Sequence, residues 1–135
     1  MTTISFDREK FEAAITATDS FVIVDFWAEW CGPCRQFGPI FERVSDKYPE
    51  ITFAKVDTDA HQELSAMAGI RSIPTLMIFR DGILLFNQAG ALSERALEDV
   101  IAQARGLDMV AVRTELESTA TSAGPGRGTD ASLAP

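Results

Sequence analysis

The stretch that most constrains the fold is an apolar run leading to the chain's only two cysteines. Residues 22–27, Val-Ile-Val-Asp-Phe-Trp, are rich in β-branched and aromatic side chains, which is typical of a buried strand. The segment from Cys34 to Lys47 reads as a helix, so Cys31 falls at its N-terminal edge. The sequence therefore predicts a buried strand followed by a Cys-Gly-Pro-Cys turn at a helix N-terminus.

Cys31 and Cys34 are close enough in sequence to form a disulfide with little backbone movement. Residues three positions apart on a helix have Cβ atoms about 5 to 6 Å apart, and a disulfide needs roughly 3.5 to 4.5 Å. Free N–H groups and the helix dipole stabilise an anion at this edge, and the thiolate is the form that attacks disulfides. Cys31 is therefore the predicted nucleophile, with Pro33 suited to the first helical turn.

A zinc site and a structural staple are the alternative uses of this pair. A structural zinc ion takes four protein ligands, and the chain has a single histidine, His61, about 30 residues away. A disulfide that closes so short a loop removes little entropy from the unfolded chain. Both alternatives are therefore less favoured than a catalytic dithiol.

Composition limits the number of domains and the classes of partner. With 135 residues and 46% hydrophobic side chains, the chain can form one substantial core but not two ordinary domains. A net charge of −8 argues against nucleic acid and membrane surfaces as partners, since both attract basic proteins. The sequence shows no signal peptide or membrane span, and a reducing compartment suits a catalytic cysteine pair. We expect a soluble, cytoplasmic monomer.

Strands and helices alternate along the rest of the chain. Strands are predicted at residues 4–6, 21–27, 51–56, 75–79 and 83–86, and helices at 7–17, 34–47, 59–68 and 93–105. Asp81-Gly82 is the turn signal between the last two strands. This order predicts an α/β fold, an open sheet with helices on both faces that ends in an antiparallel hairpin.

Several motifs together resemble the thioredoxin family over about residues 4–105. Besides Trp-Cys-Gly-Pro-Cys, the motifs in the family's order are Val-Asp-Phe-Trp-Ala (24–28), Ala-Lys-Val-Asp (54–57), Ile-Arg-Ser-Ile-Pro-Thr (70–75) and Ala-Gly-Ala-Leu (89–92). The resemblance implies the thioredoxin fold, three α/β/α layers with a central mixed five-stranded sheet. Arg35, Gln36 and Gly38 depart from the pattern, since Lys, an apolar residue and Ala are common there.

The resemblance also implies a function, the reduction of protein disulfides. Cys31 would attack a client disulfide and Cys34 would resolve the mixed disulfide. Asp25 stands inside an apolar strand, where burial raises the pKa of a carboxyl, and the family's matching Asp assists proton transfer. Lys55 would be paired with Asp25, the alternative being a solvated strand lysine. No bound cofactor or metal is implied, because electrons come from NADPH through a flavoprotein thioredoxin reductase.

The resemblance further implies a surface that binds disulfide-containing protein substrates. The proline matching Pro74 is cis in the family and faces the active cysteine. The backbone of Ile73 would then pair with an extended client segment by strand addition. The predicted substrate-binding residues are Trp30, Gly32, Pro33, Ile73, Pro74, Gly90 and Ala91.

After Gly106 the chain continues beyond the family's usual end. Apolar residues at helical spacing predict a short amphipathic helix within residues 107–118, and small polar residues predict a disordered tail at 119–135. Residues 1–106 would form the thioredoxin domain. The extension also motivates an alternative function, a redox-sensitive binding subunit with residues 107–118 as its interface.

Overall fold

A computed structural model describes the backbone of residues 2–127 and the side chains of residues 2–119. The chain divides into two compact units, Met1–Arg105 and Gly106–Pro135, which are described separately. The described part of the first unit forms five strands and four helices in the predicted order. Their bounds are β1 Thr3–Ser5, α1 Arg8–Thr16, β2 Phe21–Trp27, α2 Gly32–Ser45, β3 Thr52–Asp57, α3 Gln62–Met67, β4 Thr75–Arg80, β5 Ile83–Ala89 and α4 Glu94–Arg105.

The sheet is mixed and has the strand order β1-β3-β2-β4-β5. β3 runs parallel to β1 and β2, whereas β4 runs antiparallel to β2 and β5. Asp81 and Gly82 join the last two strands with φ angles of 54° and 80°, the positive values that a tight two-residue hairpin turn uses. The predicted α/β fold with a mixed five-stranded sheet is confirmed.

Helices cover both faces of the sheet, so the first unit has three layers. On one face, α2 and α4 bury residues such as Phe41, Leu97 and Ile101 against Ile23 and Ile78 of the sheet. The other face holds a second apolar cluster, to which α1 contributes Phe11 and α3 contributes Leu64. β2 lies at the centre, and its residues from 22 to 26 are all buried.

Side-chain caps explain where several helices begin. The carboxylate of Asp7 accepts the N–H of Lys10 at 2.8 Å, and the hydroxyl of Ser93 accepts the N–H of Ala96 at 3.1 Å. Helix α3 begins at Gln62, three residues later than predicted. The reason is a turn in which the Asp57 carboxylate accepts the backbone N–H groups of residues 59 and 60.

The described part of the second unit is a helix, α5, spanning Met109–Arg127. The Asp108 carboxylate accepts the N–H groups of Val110 and Ala111 at 3.1 and 3.2 Å, which caps the start of the helix. The helix continues to Arg127, beyond the predicted end near Ser118. The disorder predicted for residues 128–135 lies outside the described residues. Across residues 2–127, no helix has the length and apolar character needed to cross a membrane.

Candidate active site

Strand β2 and helix α2 place the two cysteines at one end of the sheet. The chain leaves β2 after Trp27 and turns, with the N–H of Cys31 donating to the carbonyl of Ala28 at 3.2 Å. Cys31 is the N-cap of α2, and its Sγ accepts the N–H of Cys34 at 3.2 Å. Pro33 occupies the first turn, as predicted. The sequence prediction of a cysteine at the helix N-terminus is therefore confirmed.

The sulfurs of Cys31 and Cys34 are joined in a disulfide, with their Cα atoms 5.2 Å apart. Both residues are 4% exposed in this oxidised state, so accessible surface alone does not distinguish them. Their positions do. Cys31 lies before the first turn, next to the exposed Trp30 and Gly32, whereas Cys34 lies inside the helix. The helix N-terminus therefore favours a thiolate on Cys31 once the disulfide is reduced.

The loop before β4 faces the disulfide from the other side. The peptide bond between Ile73 and Pro74 is cis, as the resemblance implies. The carbonyl oxygen of Ile73 lies 3.7 Å from the Sγ of Cys31. The Ile73 side chain packs against the buried cluster formed by Ala28, Cys31 and Cys34. The Pro74 carbonyl accepts the N–H of Gly90 at 2.8 Å. This bond connects the predicted Gly90-Ala91 segment to the loop that touches the nucleophile.

Trp30 is an exposed part of the rim rather than a core residue. It is 68% exposed, and its indole N–H donates to the Asp59 carboxylate at 3.0 Å. Beside it lies a cleft of about 410 Å³. Arg71 and Ser72 also contribute to this cleft, and they were not predicted as site residues. The cleft is lined by Trp30, Thr58, Ser65, Ile70, Arg71, Ser72 and Ile73.

Asp25 is a fully buried carboxyl on the central strand. It is 0% exposed, and neither carboxyl oxygen has a hydrogen-bond partner among the residues that the structure describes. Burial raises the pKa of Asp25 to about 7, the nearby Lys55 ammonium lowers it in part, and the Glu42 carboxylate raises it. Asp25 can therefore gain or lose a proton near neutral pH.

Lys55 stands beside Asp25 but forms its ion pair with another residue. The two are register partners on β3 and β2, and they interact electrostatically. Among the described residues, the ion pair of Lys55 is with Glu42, at 3.9 Å from Nζ to Oε2. The ammonium also lies 4.8 Å from the centroid of the Trp27 ring. The structure thus adds Glu42 to the predicted pair.

Glu42 was missed because its partners lie far away in sequence. Its Oε2 also accepts the hydroxyl of Thr3 from β1 at 2.8 Å. One periodic signal was available. Cys34, Gly38 and Glu42 recur every four residues, so they share one face of α2. A carboxylate on the face that carries the buried cysteine is the feature that could have identified it.

The donor set does not suggest a metal centre. Within the part of the chain that the structure describes, no three His, Cys, Asp or Glu side chains cluster closely enough to hold a metal ion. His61 lies at the start of α3 and makes no side-chain cap there.

Comparison with known proteins agrees with the geometry. A family model described as Thioredoxin matches residues 2–103. A protein of Streptomyces coelicolor named Putative thioredoxin 2 is 50% identical over 122 residues, covering 90% of each chain. Thioredoxin C-3 of Corynebacterium nephridii is 38% identical over 100 residues, covering 74% of this chain and 69% of that protein. The solved structure of Malassezia sympodialis thioredoxin matches with a TM-score of 0.67 at 35% identity, covering 75% of this chain and 89% of that chain.

Proposed function

Because the chain belongs to the thioredoxin family of thiol-disulfide oxidoreductases, we propose that it reduces disulfides in protein substrates. The observation that carries this proposal is the Cys31–Cys34 disulfide at the N-terminus of α2. There the helix favours a thiolate, and a sulfur–sulfur bond can open and close across one turn. Pro33 supports the reducing direction, because oxidising relatives commonly have His at that position.

The proposed reaction consists of two exchanges. The Cys31 thiolate attacks one sulfur of a client disulfide, so that a Cys31–client bond forms and the other client sulfur leaves as a thiolate. Cys34 then loses its proton and attacks the Sγ of Cys31. This forms the disulfide seen in the structure and releases the second client sulfur. The client gains two electrons and two protons, and the cysteine pair is oxidised.

Asp25 is the proposed acceptor of the Cys34 proton. Cys34 and Gly38 lie on the same face of α2, and a Cβ placed on Gly38 would be 4.0 Å from the Nζ of Lys55. Since Lys55 is the register partner of Asp25, the Asp25 carboxyl lies on the side of the sheet that this face approaches. A pKa of about 7 lets the carboxyl take up a proton at one stage and release it at another.

Client proteins are proposed to bind beside Ile73. Its carbonyl borders the Cys31 sulfur, so an extended segment that pairs with this backbone would bring its own disulfide to the nucleophile. Trp30, Gly32 and Pro33 are exposed on the cysteine side, and Gly90 and Ala91 are exposed beyond the Pro74 carbonyl. These residues form the proposed rim.

A thioredoxin reductase and disulfide-containing proteins are the partners that the family implies in general. We propose that a flavoprotein reductase returns the Cys31–Cys34 disulfide to the dithiol with electrons from NADPH. The protein itself needs no bound cofactor for this exchange. A reducing cytoplasm is the proposed location, because the catalytic pair must be kept reduced to act on clients. A monomer is the proposed oligomeric state.

Reduction of insulin disulfides tests the proposal directly. With NADPH and a thioredoxin reductase present, the wild-type protein should oxidise NADPH as insulin precipitates. The variant Cys34→Ser should lose turnover and accumulate a mixed disulfide through Cys31, visible by non-reducing electrophoresis and mass spectrometry. An inactive wild-type protein, or a mixed disulfide through Cys34 in a Cys31→Ser variant only, would contradict the assignment.

Helix α5 of the second unit has exposed apolar side chains that could bind a partner. On α5 the large apolar residues Val110 and Leu116 are 77% and 50% exposed. This exposure favours the second candidate function, a partner-binding subunit in which the dithiol only tunes affinity. Removal of the extension separates the two functions.

A further inference from the structure

Three ionisable side chains from three elements meet beneath helix α2. Asp25 lies on β2, Lys55 on β3 and Glu42 on α2, and all three are at least mostly buried. The side chains of Lys55 and Glu42 are 21% and 19% exposed, whereas Asp25 is fully buried. The Lys55 ammonium therefore interacts with two carboxyl groups, and its position decides which of them is stabilised as an anion.

The Lys55 ammonium is held on the Glu42 side of this cluster. Its Nζ lies 3.9 Å from the Oε2 of Glu42 and 4.8 Å from the centroid of the Trp27 ring. The ammonium lies next to Gly38 of α2, since a Cβ built there would stand 4.0 Å from Nζ, an ordinary van der Waals distance. Both oxygens of Asp25, by contrast, are buried and accept no hydrogen bond from the described part of the chain.

Glu42 is itself held in place by a residue of β1, an edge strand of the sheet. Its Oε2 accepts the Thr3 hydroxyl from β1 at 2.8 Å, while its Oε1 is buried with no hydrogen-bond partner within the described residues. The Thr3 bond fixes the oxygen that faces Lys55 and leaves the carboxylate dependent on that ammonium for compensation of its charge.

We propose that Glu42 is a positioning residue for Asp25: it draws the Lys55 ammonium towards itself, so that the Asp25 carboxyl gains and loses its proton near neutral pH instead of staying an anion. This inference rests on the proposed function of Asp25 as the proton acceptor for Cys34. In the wild-type protein, Asp25 would release its proton only around neutral pH. Without Glu42, Lys55 would compensate Asp25 alone, and Asp25 would be an anion at lower pH.

Among the described side chains, the charges that act on the Asp25 carboxyl are those of Lys55 and Glu42. From β3 it faces Lys55, from α2 it faces Glu42, and its register partner on β4 is the apolar Leu76. Cys31 and Cys34 do not titrate while they are joined in the disulfide. The oxidised protein therefore isolates the three-residue cluster. Consistent with the geometry, the Glu42 charge raises the pKa of Asp25 and the Lys55 charge lowers it.

Titration of the Asp25 carboxyl by ¹³C NMR in the oxidised protein tests the inference. In Glu42→Gln, the titration midpoint of Asp25 should fall by about one pH unit. The matched control is Glu98→Gln, which removes the same charge and breaks an exposed ion pair with Lys47. This control should leave the midpoint unchanged. An unchanged midpoint in Glu42→Gln overturns the inference.

A second comparison asks whether Glu42 acts through Lys55. In the Lys55→Met background, Glu42→Gln should shift the Asp25 midpoint by less than about half of its effect in the wild-type background. A shift of equal size in both backgrounds would mean that Glu42 acts by its charge alone, and it overturns the positioning role. If Lys55→Met does not fold, Glu42→Asp decides the point, since it keeps the charge but shortens the reach. A lowered midpoint supports positioning, and an unchanged one overturns it.

The NMR readout is independent of catalysis. If insulin reduction fails while the Asp25 midpoint shifts as expected, the proposed function is wrong and the role of Glu42 in the charge cluster remains. If the protein is active and Glu42→Gln also moves the lower limb of its pH–rate profile to lower pH, the cluster is connected to proton transfer.

Discussion

Cys31 caps the helix that contains Cys34, and its Sγ accepts the Cys34 N–H at 3.2 Å. This single contact places one sulfur at the positive end of the helix and the other within its first turn. The two cysteines are therefore chemically unequal as soon as the disulfide between them is reduced.

In the reduced protein at neutral pH, iodoacetamide should alkylate Cys31 at least about tenfold faster than Cys34. The helix N-terminus stabilises the Cys31 thiolate, whereas Cys34 is enclosed within α2. Limited alkylation followed by peptide mass spectrometry measures the two rates. The unfolded protein in urea is the control, and there the difference should disappear. Equal labelling in the folded protein would remove the basis for naming Cys31 the nucleophile.

Asp25→Asn should stabilise the oxidised protein at pH 8 and have little effect at pH 4. Asp25 has a pKa of about 7 when folded and about 3.9 when unfolded, so the folded state binds the extra proton between these values. Wild-type stability therefore falls as pH rises from about 4 to 7 and then levels off. Above pH 7, Asp25→Asn should therefore raise the free energy of unfolding by up to about 4 kcal/mol.

Urea unfolding at pH 4, 6 and 8 measures this pH dependence. Asp99→Asn removes the same charge from an exposed site on α4 and serves as the control. If Asp25→Asn raised the stability by the same amount at every pH, burial would not be what raises the pKa of Asp25.

The local patterns predicted most of the fold because short-range chemistry decides it. Asp7 and Ser93 cap the helices that follow them, and Asp81-Gly82 closes the hairpin, each through contacts within a few residues. Cys31 and Asp25 were also identifiable locally, one by its place before a helix and the other as a carboxyl within an apolar strand. These features need no knowledge of the tertiary structure.

The charge cluster could not be read in the same way. Glu42 contacts Thr3, 39 positions away, and Lys55 on β3, so its role exists only once β1, β3 and α2 have packed together. From the sequence, Lys55 had Asp25 as its predicted partner because the two strands were expected to be neighbours. The helix above them supplied a second carboxylate. The four-residue spacing of Cys34, Gly38 and Glu42 places it on the face of the buried cysteine, but its partners are brought to it only by the fold.

Gly82→Ala should destabilise the protein by about 1 kcal/mol or more. Gly82 has a φ of 80°, and an added Cβ would approach the Ile15 carbonyl oxygen to 3.5 Å. Gly32→Ala is the contrasting variant, because Gly32 lies in α2 and, apart from adjacent residues and the helix's own backbone, no described atom lies within 4 Å of the added Cβ. It should be neutral or stabilising by about 0.5 to 1 kcal/mol. Thermal unfolding of the two oxidised variants decides between them, and an equal loss in both would refute the turn argument.

Removal of residues 107–135 should leave both the fold and insulin reduction intact. The two main core clusters consist of residues between Phe6 and Ala104, and every proposed site residue lies within Met1–Arg105. We therefore expect the urea midpoint and the insulin activity of the truncated protein to stay within about twofold of the full chain.

The control is Val110→Ser with Leu116→Ser in the full chain, which removes the exposed apolar side chains but keeps the segment. If truncation and the double variant both keep turnover but lose a stoichiometric partner, the extension is a binding element added to a working reductase. If turnover is negligible in the full chain and a partner is lost on truncation, the binding-subunit function replaces the reductase proposal.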